Sequence, residues 1–364
     1  MHAHARRIIS STAATAVAAV SLLVAPAALA GTSSTTTSTS TDRATIGLFG
    51  EQDPRYDGVY RQSLSLIALD AAGARIPKAS VRWLLRQQCG NGRFPSYTDL
   101  SGRCGVGEVD STAMATIALK RIGERRAARA ALTWLVQQQT ASGGWEFNAG
   151  FGPNANSTGL AVQAMIAMRV DPTTVKTDRS GPQFLRSLQL RCQADVSSRG
   201  ALDYQPQEPL SANDFATAQA TQAMAGSSLP VRPATTSAKR PALTCPKSGS
   251  QPSPAAVAAG YLSRTISANG GSIPGVVGPG PDLGSTANAV MSLVAAGYGS
   301  GAVAEAVSTL ETNAVTFTRD ASDAVLPASA AALALTAHAT NGNPRSFGGT
   351  NPVRDILSSR TLAG

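Results

Sequence analysis

The stretch Asp110–Trp145, DSTAMATIALKRIGERRAARAALTWLVQQQTASGGW, reads as one complete helical hairpin, and the rest of the chain follows its pattern. Asp110-Ser111-Thr112 opens a small-residue helix whose apolar side runs Met114, Ile117, Ala118 and Ile122 at spacings of three and four. Gly123 ends it. A second helix carries Ala127, Ala131, Trp134, Leu135 and Gln138, then stops at Ser142-Gly143-Gly144, where glycine lets the chain turn back. Such a pair cannot bury its own apolar faces. It requires neighbours of the same kind.

Those neighbours recur along the chain. Inner helices are expected to start near Val59, Asp110, Asn156, Asn213, Ser285 and Val325, and outer helices near Pro77, Arg125, Arg179, Pro254, Ser300 and Pro352, which makes six hairpins. The inner helices share a column: Thr112-Ala-Met-Ala, Thr158-Gly-Leu-Ala, Thr217-Ala-Gln-Ala, Thr286-Ala-Asn-Ala and, more loosely, Ser329-Ala-Ala-Ala. Small residues after the hydroxyl let helices approach closely. The outer helices share Trp83-Leu84 with Gln88, Trp134-Leu135 with Gln139, Phe184-Leu185 with Gln189, and Tyr261-Leu262 without the Gln. Two copies continue to a glycine and an aromatic, Gly92 with Phe94 and Gly143 with Trp145. One all-α domain over 43–364 is expected, with an inserted Pro/Ser/Thr-rich loop at 226–254 and a second irregular loop at 270–280. Either loop reads as a rim, a lid or a plain connector.

The N-terminus reads as a targeting segment. Arg6-Arg7, an apolar run from Ile8 to Ala25 and Ala28-Leu29-Ala30 before Gly31 make residues 1–30 a secretory signal peptide, and residues 31–42 are a low-complexity tether. A secreted, extracellular and freely released monomer is the expectation, without stable membrane insertion. The formal charge of +9 includes Arg6 and Arg7. The remaining cations are scattered, with Arg121, Arg125, Arg126 and Arg129 on one helix and Lys239-Arg240 in a loop, and no aromatic interleaving, so no nucleic acid partner is expected. Four Cys in an exported chain make two disulfides, for which the loops they bracket favour Cys89–Cys104 and Cys192–Cys245 among three possible pairings. No metal site is expected: His2 and His4 leave with the signal and His338 stands alone.

The outer-helix column, aromatic-Leu, Gln, then Gly-x-aromatic, resembles the QW repeat of squalene and terpene cyclases and of prenyltransferase β-subunits. That resemblance implies an α/α toroid, an α6/α6 barrel. Asn156-Ser-Thr-Gly-Leu-Ala-Val-Gln-Ala, Val109-Asp-Ser-Thr-Ala-Met-Ala and Ala216-Thr-Ala-Gln-Ala also resemble inner helices of the cobalamin carriers transcobalamin and intrinsic factor, and secreted bacterial proteins with prenyltransferase/squalene oxidase repeats. The resemblance covers roughly residues 55 to 360 and is far more specific for fold than for activity.

Glu108-Val-Asp110-Ser111-Thr112-Ala113 resembles the Asp-x-Asp-Asp-Thr-Ala acid motif of class II terpene cyclases, which puts Asp110 on the proton-donating position. Glu108 replaces the first Asp and Ser111 the third. Protonating carbon requires a tuned carboxylic acid in a dry aromatic cavity, and three Trp, six Tyr and eight Phe are few for that task. The competing reading is that Asp110 caps its helix, as Asn156 in the next unit would. The zinc of a prenyltransferase lacks its ligands here, and Cys104-Gly-Val-Gly-Glu108 lacks the Gln of a thioester loop.

In such a ring the inner-helix N-termini open at one end, where N–H groups and dipoles favour anionic or carbonyl-bearing ligands. Asp110, Asp214 and Asp282 partly cancel that field. Gln62, Gln163, Gln219, Gln222 and Asn288 either line a cavity or bond between helices. The candidate ligand-binding set is Glu108, Asp110, Asn156, Gln163, Asn213, Asp214, Gln219 and Asn288, with Asp110 as the catalytic candidate. The sequence reads first as a secreted binding protein without turnover, holding a small molecule or peptide at the toroid mouth and needing no cofactor. Its alternatives are a terpene-cyclase-like enzyme using Asp110, a cobalamin carrier and a cell-envelope scaffold.

Overall fold

The computed structural model describes residues 44–362 apart from 99–103, 106, 175–177, 246–248 and 276–279. The signal segment and the tether lie outside the described residues. The chain runs α1 (Pro54–Ala71), α2 (Lys78–Arg86), α3 (Val109–Arg121), α4 (Arg125–Gln137), β1 (Trp145–Glu146), β2 (Pro153–Asn154), α5 (Ala155–Ala167), α6 (Gly181–Ser187) and α7 (Asp214–Met224). It continues α8 (Pro254–Ala268), β3 (Ile273–Pro274), β4 (Pro281–Asp282), α9 (Leu283–Ala296), α10 (Ser300–Thr312), α11 (Ala314–Phe317), α12 (Pro327–Ala339) and α13 (Pro352–Ser358). The antiparallel pairs β1–β2 and β3–β4 are short hairpins leading into α5 and α9.

Helices α1, α3, α5, α7, α9 and α12 are buried on nearly every face, so they need cover on all sides. Each packs against the next in this series, and α12 returns to α1, which closes the ring. The outer helices α2, α4, α6, α8, α10 and α13 pack around them. Their pattern is one-sided: in α4, Ala128, Ala131, Leu132, Trp134 and Leu135 are buried while Arg125, Arg126 and Arg129 face solvent. The fold is thus an α/α toroid of six hairpins, with starts within a few residues of those expected. The largest shift is α1, which begins at Pro54 rather than Val59.

The repeated columns are hydrogen-bonding devices as well as packing ones. Thr112 Oγ1 accepts from Phe94 N at 3.0 Å, Thr158 Oγ1 from Trp145 N at 2.9 Å, Thr217 Oγ1 from Leu202 N at 2.8 Å and Thr286 Oγ1 from Ile273 N at 3.0 Å. Each satisfies the backbone of a Gly-x-apolar turn that leads in from the preceding outer helix. In α1 the same service comes from Gln62, whose Oε1 accepts from Phe49 N at 2.9 Å while Nε2 donates to Gly47 O and Ser80 O. Gln62 is therefore a structural residue and does not line a cavity. The outer-helix glutamines complete the turn: Gln88 Nε2 donates to Gly92 O and Ala127 O, Gln139 Nε2 to Gly143 O and Arg179 O, and Gln189 Nε2 to Gly200 O and Pro254 O. Gly143 sits at φ +89°, and a Cβ there would come within 2.6 Å of Arg179 O, where the chain enters the next outer helix.

Both disulfides form as read, Cys89–Cys104 and Cys192–Cys245. Within the loop 226–254, Ser237 pairs with Tyr298 in the α9–α10 turn and Pro241 O lies against Gly260 in α8, so this part of the loop is laid along the outer layer.

Candidate functional site at the ring mouth

Because each hairpin goes in along an inner helix and out along an outer one, all six inner N-termini share one end. Solvent access there is selective. Between Gly58 and Leu69 of α1 only Tyr60 and Leu64 are partly exposed, and between Val109 and Leu119 of α3 only Asp110 is. Partial exposure also marks Phe215 in α7, Gly284 and Asn288 in α9, and Ala332 in α12. Pairs such as Tyr60/Leu64 and Gly284/Asn288 are four apart, hence on one face and one turn, about 6 Å, deep. One turn further in, Ile67, Ile117, Gln163, Gln222, Met291 and Leu335 are buried. Exposure at this end thus forms a shallow funnel that reaches about one helical turn inward from the rim, above buried side chains.

Asp110 stands on its rim. It is not a helix cap: α3 begins at Val109, the capping position belongs to Glu108, and no side chain caps there. In α5 the cap is Asn154, whose Oδ1 accepts from Ser157 N at 2.8 Å, so Asn156 is not a cap either. Asp110 and Asn156 both sit second in their helices, two residues before the threonine of the shared column. The capping reading fails because each helix starts one residue earlier than the polar residue chosen for it.

The Asp110 carboxyl is hydrogen-bonded to Ser157, while Oδ1 is cut off from solvent and has no partner. A helix N-terminus stabilises a carboxylate, but burial outweighs it here. Burial raises the pKa to about 7, the Ser157 hydrogen bond pulls it down, and the charge of Glu108 adds to the rise. Glu108 is itself raised by burial, offset by hydrogen bonds from Ser96 and from Ser111 at 2.8 Å. Two phenols feel the Asp110 charge: Tyr60 from α1 and Tyr204 from the α6–α7 loop, both raised first by burial and then by Asp110. Tyr204 is placed by its own backbone, since its carbonyl accepts from Ala155 N at the start of α5 at 2.9 Å. The arrangement raises the Asp110 pKa to about 7, within the field of two phenols and with no partner on Oδ1.

The other candidates divide. Asn156 Nδ2 donates to Gln219 Oε1 at 2.5 Å, and Asn156 Oδ1, Gln163 Oε1 and Gln222 Oε1 are buried without partners. Asn288 reaches the funnel surface, and Gln163 and Gln222 lie beneath it. Asn213 caps α7, accepting from Ala216 N at 2.8 Å. Asp214 accepts from Tyr261 Oη at 2.5 Å and is held above its usual range by burial. Asp282 caps α9. Tyr60, Ser157 and Tyr204 were not among the expected site residues. Aligning Tyr60 two before Gln62, as Asp110 is two before Thr112, reveals the first; Tyr204 lies in a loop with no repeat signal.

No protein family matches the sequence, and no curated protein matches it. Among solved structures, a protein from Actinoplanes is similar at 18% identity, over 83% of this chain and 80% of that one, with a TM-score of 0.52. The type II terpene cyclase MstE from Scytonema is similar at 13% identity over 70% of this chain and 69% of that one, with a TM-score of 0.44. The ent-copalyl diphosphate synthase from Streptomyces platensis is similar at 17% identity over 83% of this chain and 49% of that one, with a TM-score of 0.42.

Proposed function

We propose that this chain is a terpene-cyclase-like enzyme in which Asp110 is the general acid, protonating a carbon–carbon double bond or an epoxide of an isoprenoid. One observation carries the proposal: a buried carboxyl with pKa about 7 keeps Oδ1 unpartnered at the ring mouth. In the step proposed, the Asp110 proton passes to a substrate carbon or the epoxide oxygen, leaving a carbocation on the substrate and a carboxylate on Asp110. Tyr60 and Tyr204, whose phenols feel the Asp110 charge, are the aromatic side chains available to stabilise that cation, and the substrate later loses a proton to regenerate the acid. A pKa near the working pH suits a general acid.

The test is incubation of purified protein with squalene, squalene epoxide and geranylgeranyl diphosphate, with products read by gas chromatography and mass spectrometry. A cyclised product that vanishes in a folded Asp110→Asn variant supports the proposal. Absence of product from all three sinks it.

A second reading, a binding protein without turnover, is favoured by the depth and chemistry of the funnel. A mouth exposed for about one turn above buried side chains holds the end of a ligand rather than a folded polyene, and Asn288 gives that end a polar partner. Native mass spectrometry with added cobalamin and with culture-medium extract tests it; a retained ligand with no turnover establishes it. Export belongs to both readings, since two disulfides form stably in an oxidising compartment. No helix among the described residues is long and apolar enough to cross a membrane.

A further inference from the structure

A cavity of about 470 Å³ lies where the α1–α2 turn meets the C-terminal segment, lined by Arg75, Ile76, Pro77, Lys78 and Arg360. It is at the C-terminal end of α1, whereas Asp110 belongs to the inner-helix N-termini. Three of its five lining residues are cations and none is acidic. The ion pairs among the described residues engage Arg55, Arg61, Arg121 and Arg319, and none of these three.

Arg360 is fixed rather than trailing. Its backbone bridges to Phe49, with Thr361 N donating to Leu48 O and Gly50 N to Ser359 O on either side. Its side chain is half-buried, and Nε is enclosed with no hydrogen-bond partner. Arg360 lines the cavity, and its enclosed N–H has no protein acceptor that would compete with an anion for the guanidinium. The second contribution comes from α2. Its capping position is Pro77, which makes no side-chain cap, and its first turn carries no acid, so the positive end of the helix adds to the Pro77–Lys78 edge of the cavity.

We infer that this cavity is a second site, which binds a phosphate- or diphosphate-type anion through Arg75, Lys78 and Arg360, with Ile76 and Pro77 against whatever apolar group the anion carries. A monocarboxylate neutralises one of three charges; a diphosphate brings enough charge and enough oxygens for two guanidiniums and an ammonium. The volume falls in the range of about 300–1,000 Å³ usual for ligand pockets, which is larger than a bare phosphate requires. The inference does not depend on the chemistry of Asp110.

The experiment is isothermal titration of the full exported chain with inorganic phosphate and with diphosphate, alongside sedimentation with vesicles of phosphatidylglycerol and of phosphatidylcholine. Saturable binding of diphosphate, weakened about tenfold or more in Arg360→Ala and in Lys78→Gln but unchanged in Asp110→Asn, supports a soluble anion. Sedimentation with the anionic vesicles alone, lost in the same two variants, supports a lipid-borne phosphate. Lys78 is exposed, so Lys78→Gln is expected to fold even where Arg360→Ala does not. Absence of binding in every arm, or binding indifferent to both variants, overturns the inference.

Discussion

Helices α3 and α5 enter the ring in the same way and carry different chemistry. Each has its column threonine at the fourth position, accepting from the backbone N–H of an aromatic in the turn before it, Phe94 for α3 and Trp145 for α5. Two residues earlier, α3 has Asp110 and α5 has Asn156. Asn156 is tied to Gln219 of the next inner helix, whereas Asp110 meets Ser157 and leaves Oδ1 unbonded. The repeat constrains the threonine, because a missing hydroxyl strands a buried N–H. It leaves the rim position free to vary, and that is where chemistry differs between copies.

The sharpest way to break the comparison is to make α3 resemble α5. Asp110→Asn keeps the shape and removes the proton, so any cyclising turnover should fall by about 10²–10⁴, the usual worth of a general acid. The expected signature is a loss in kcat with KM little changed, measured on whichever isoprenoid turns over. A variant retaining most of its kcat would return Asp110 to a structural role.

The loops leading into the two helices also differ. The one before α3 is closed by Cys89–Cys104, partners separated by 15 in sequence, while the one before α5 is closed by the β1–β2 pair. Replacing both cysteines with serine should cost about 3 kcal/mol by loop-closure entropy. Denaturant titration measures it, and a change below about 1 kcal/mol would show that the turn hydrogen bonds already hold this loop. Because Glu108 and Ser96 lie in the same segment, the tyrosine and acid environment around Asp110 should loosen as well.

Much of this architecture was legible in the chain because packing repeats. The Trp83, Trp134 and Phe184 column, the threonine column and both disulfides are local or periodic signals, and they set the hairpins. The site was legible only in part. Asp110 stands out by motif, but the sequence leaves it between an acid and a cap because Asp before a small-residue helix is so often one; only the structure shows that α3 starts at Val109. Tyr204 had no signal, since a loop residue is brought to the acid by the return of a distant segment. Gln62 reads equally as a cavity residue or a bond between helices, because a buried carboxamide announces a need for partners without saying whether they are backbone or ligand; its partners are backbone.

Titration offers a smaller effect with a definite sign. A raised folded-state pKa means the native state binds the Asp110 proton more tightly, so its contribution to stability is full below the unfolded value near 3.8 and is lost as pH rises through about 7. Glu108 and Asp214 act in the same direction. Asp110→Asn removes one of these terms and should gain stability relative to the native chain between pH 4 and pH 8. The full conversion is about 4 kcal/mol at 1.36 per unit, and on the order of 2 after allowing for the partly open funnel. Melting curves of both proteins across that range test it; parallel curves would mean that Asp110 ionises freely and is no reserve of protons.

A last test concerns what α3 and α5 share. Thr112→Val and Thr158→Val keep the side-chain shape but withdraw the acceptor from Phe94 N and Trp145 N, both buried. Each should cost on the order of 1–3 kcal/mol, the desolvation of a stranded N–H. The two losses should be similar, because the turns they serve are built alike, with Gln88 and Gln139 holding the glycine carbonyls on the other side. Equal losses in stability would confirm that the threonine column belongs to the repeat. Thr112→Val should also be the more damaging to turnover, since it alone moves the helix that carries Asp110. If Thr158→Val reduced turnover as much, the placement of Ser157 against the acid would have to matter as much as the placement of the acid itself.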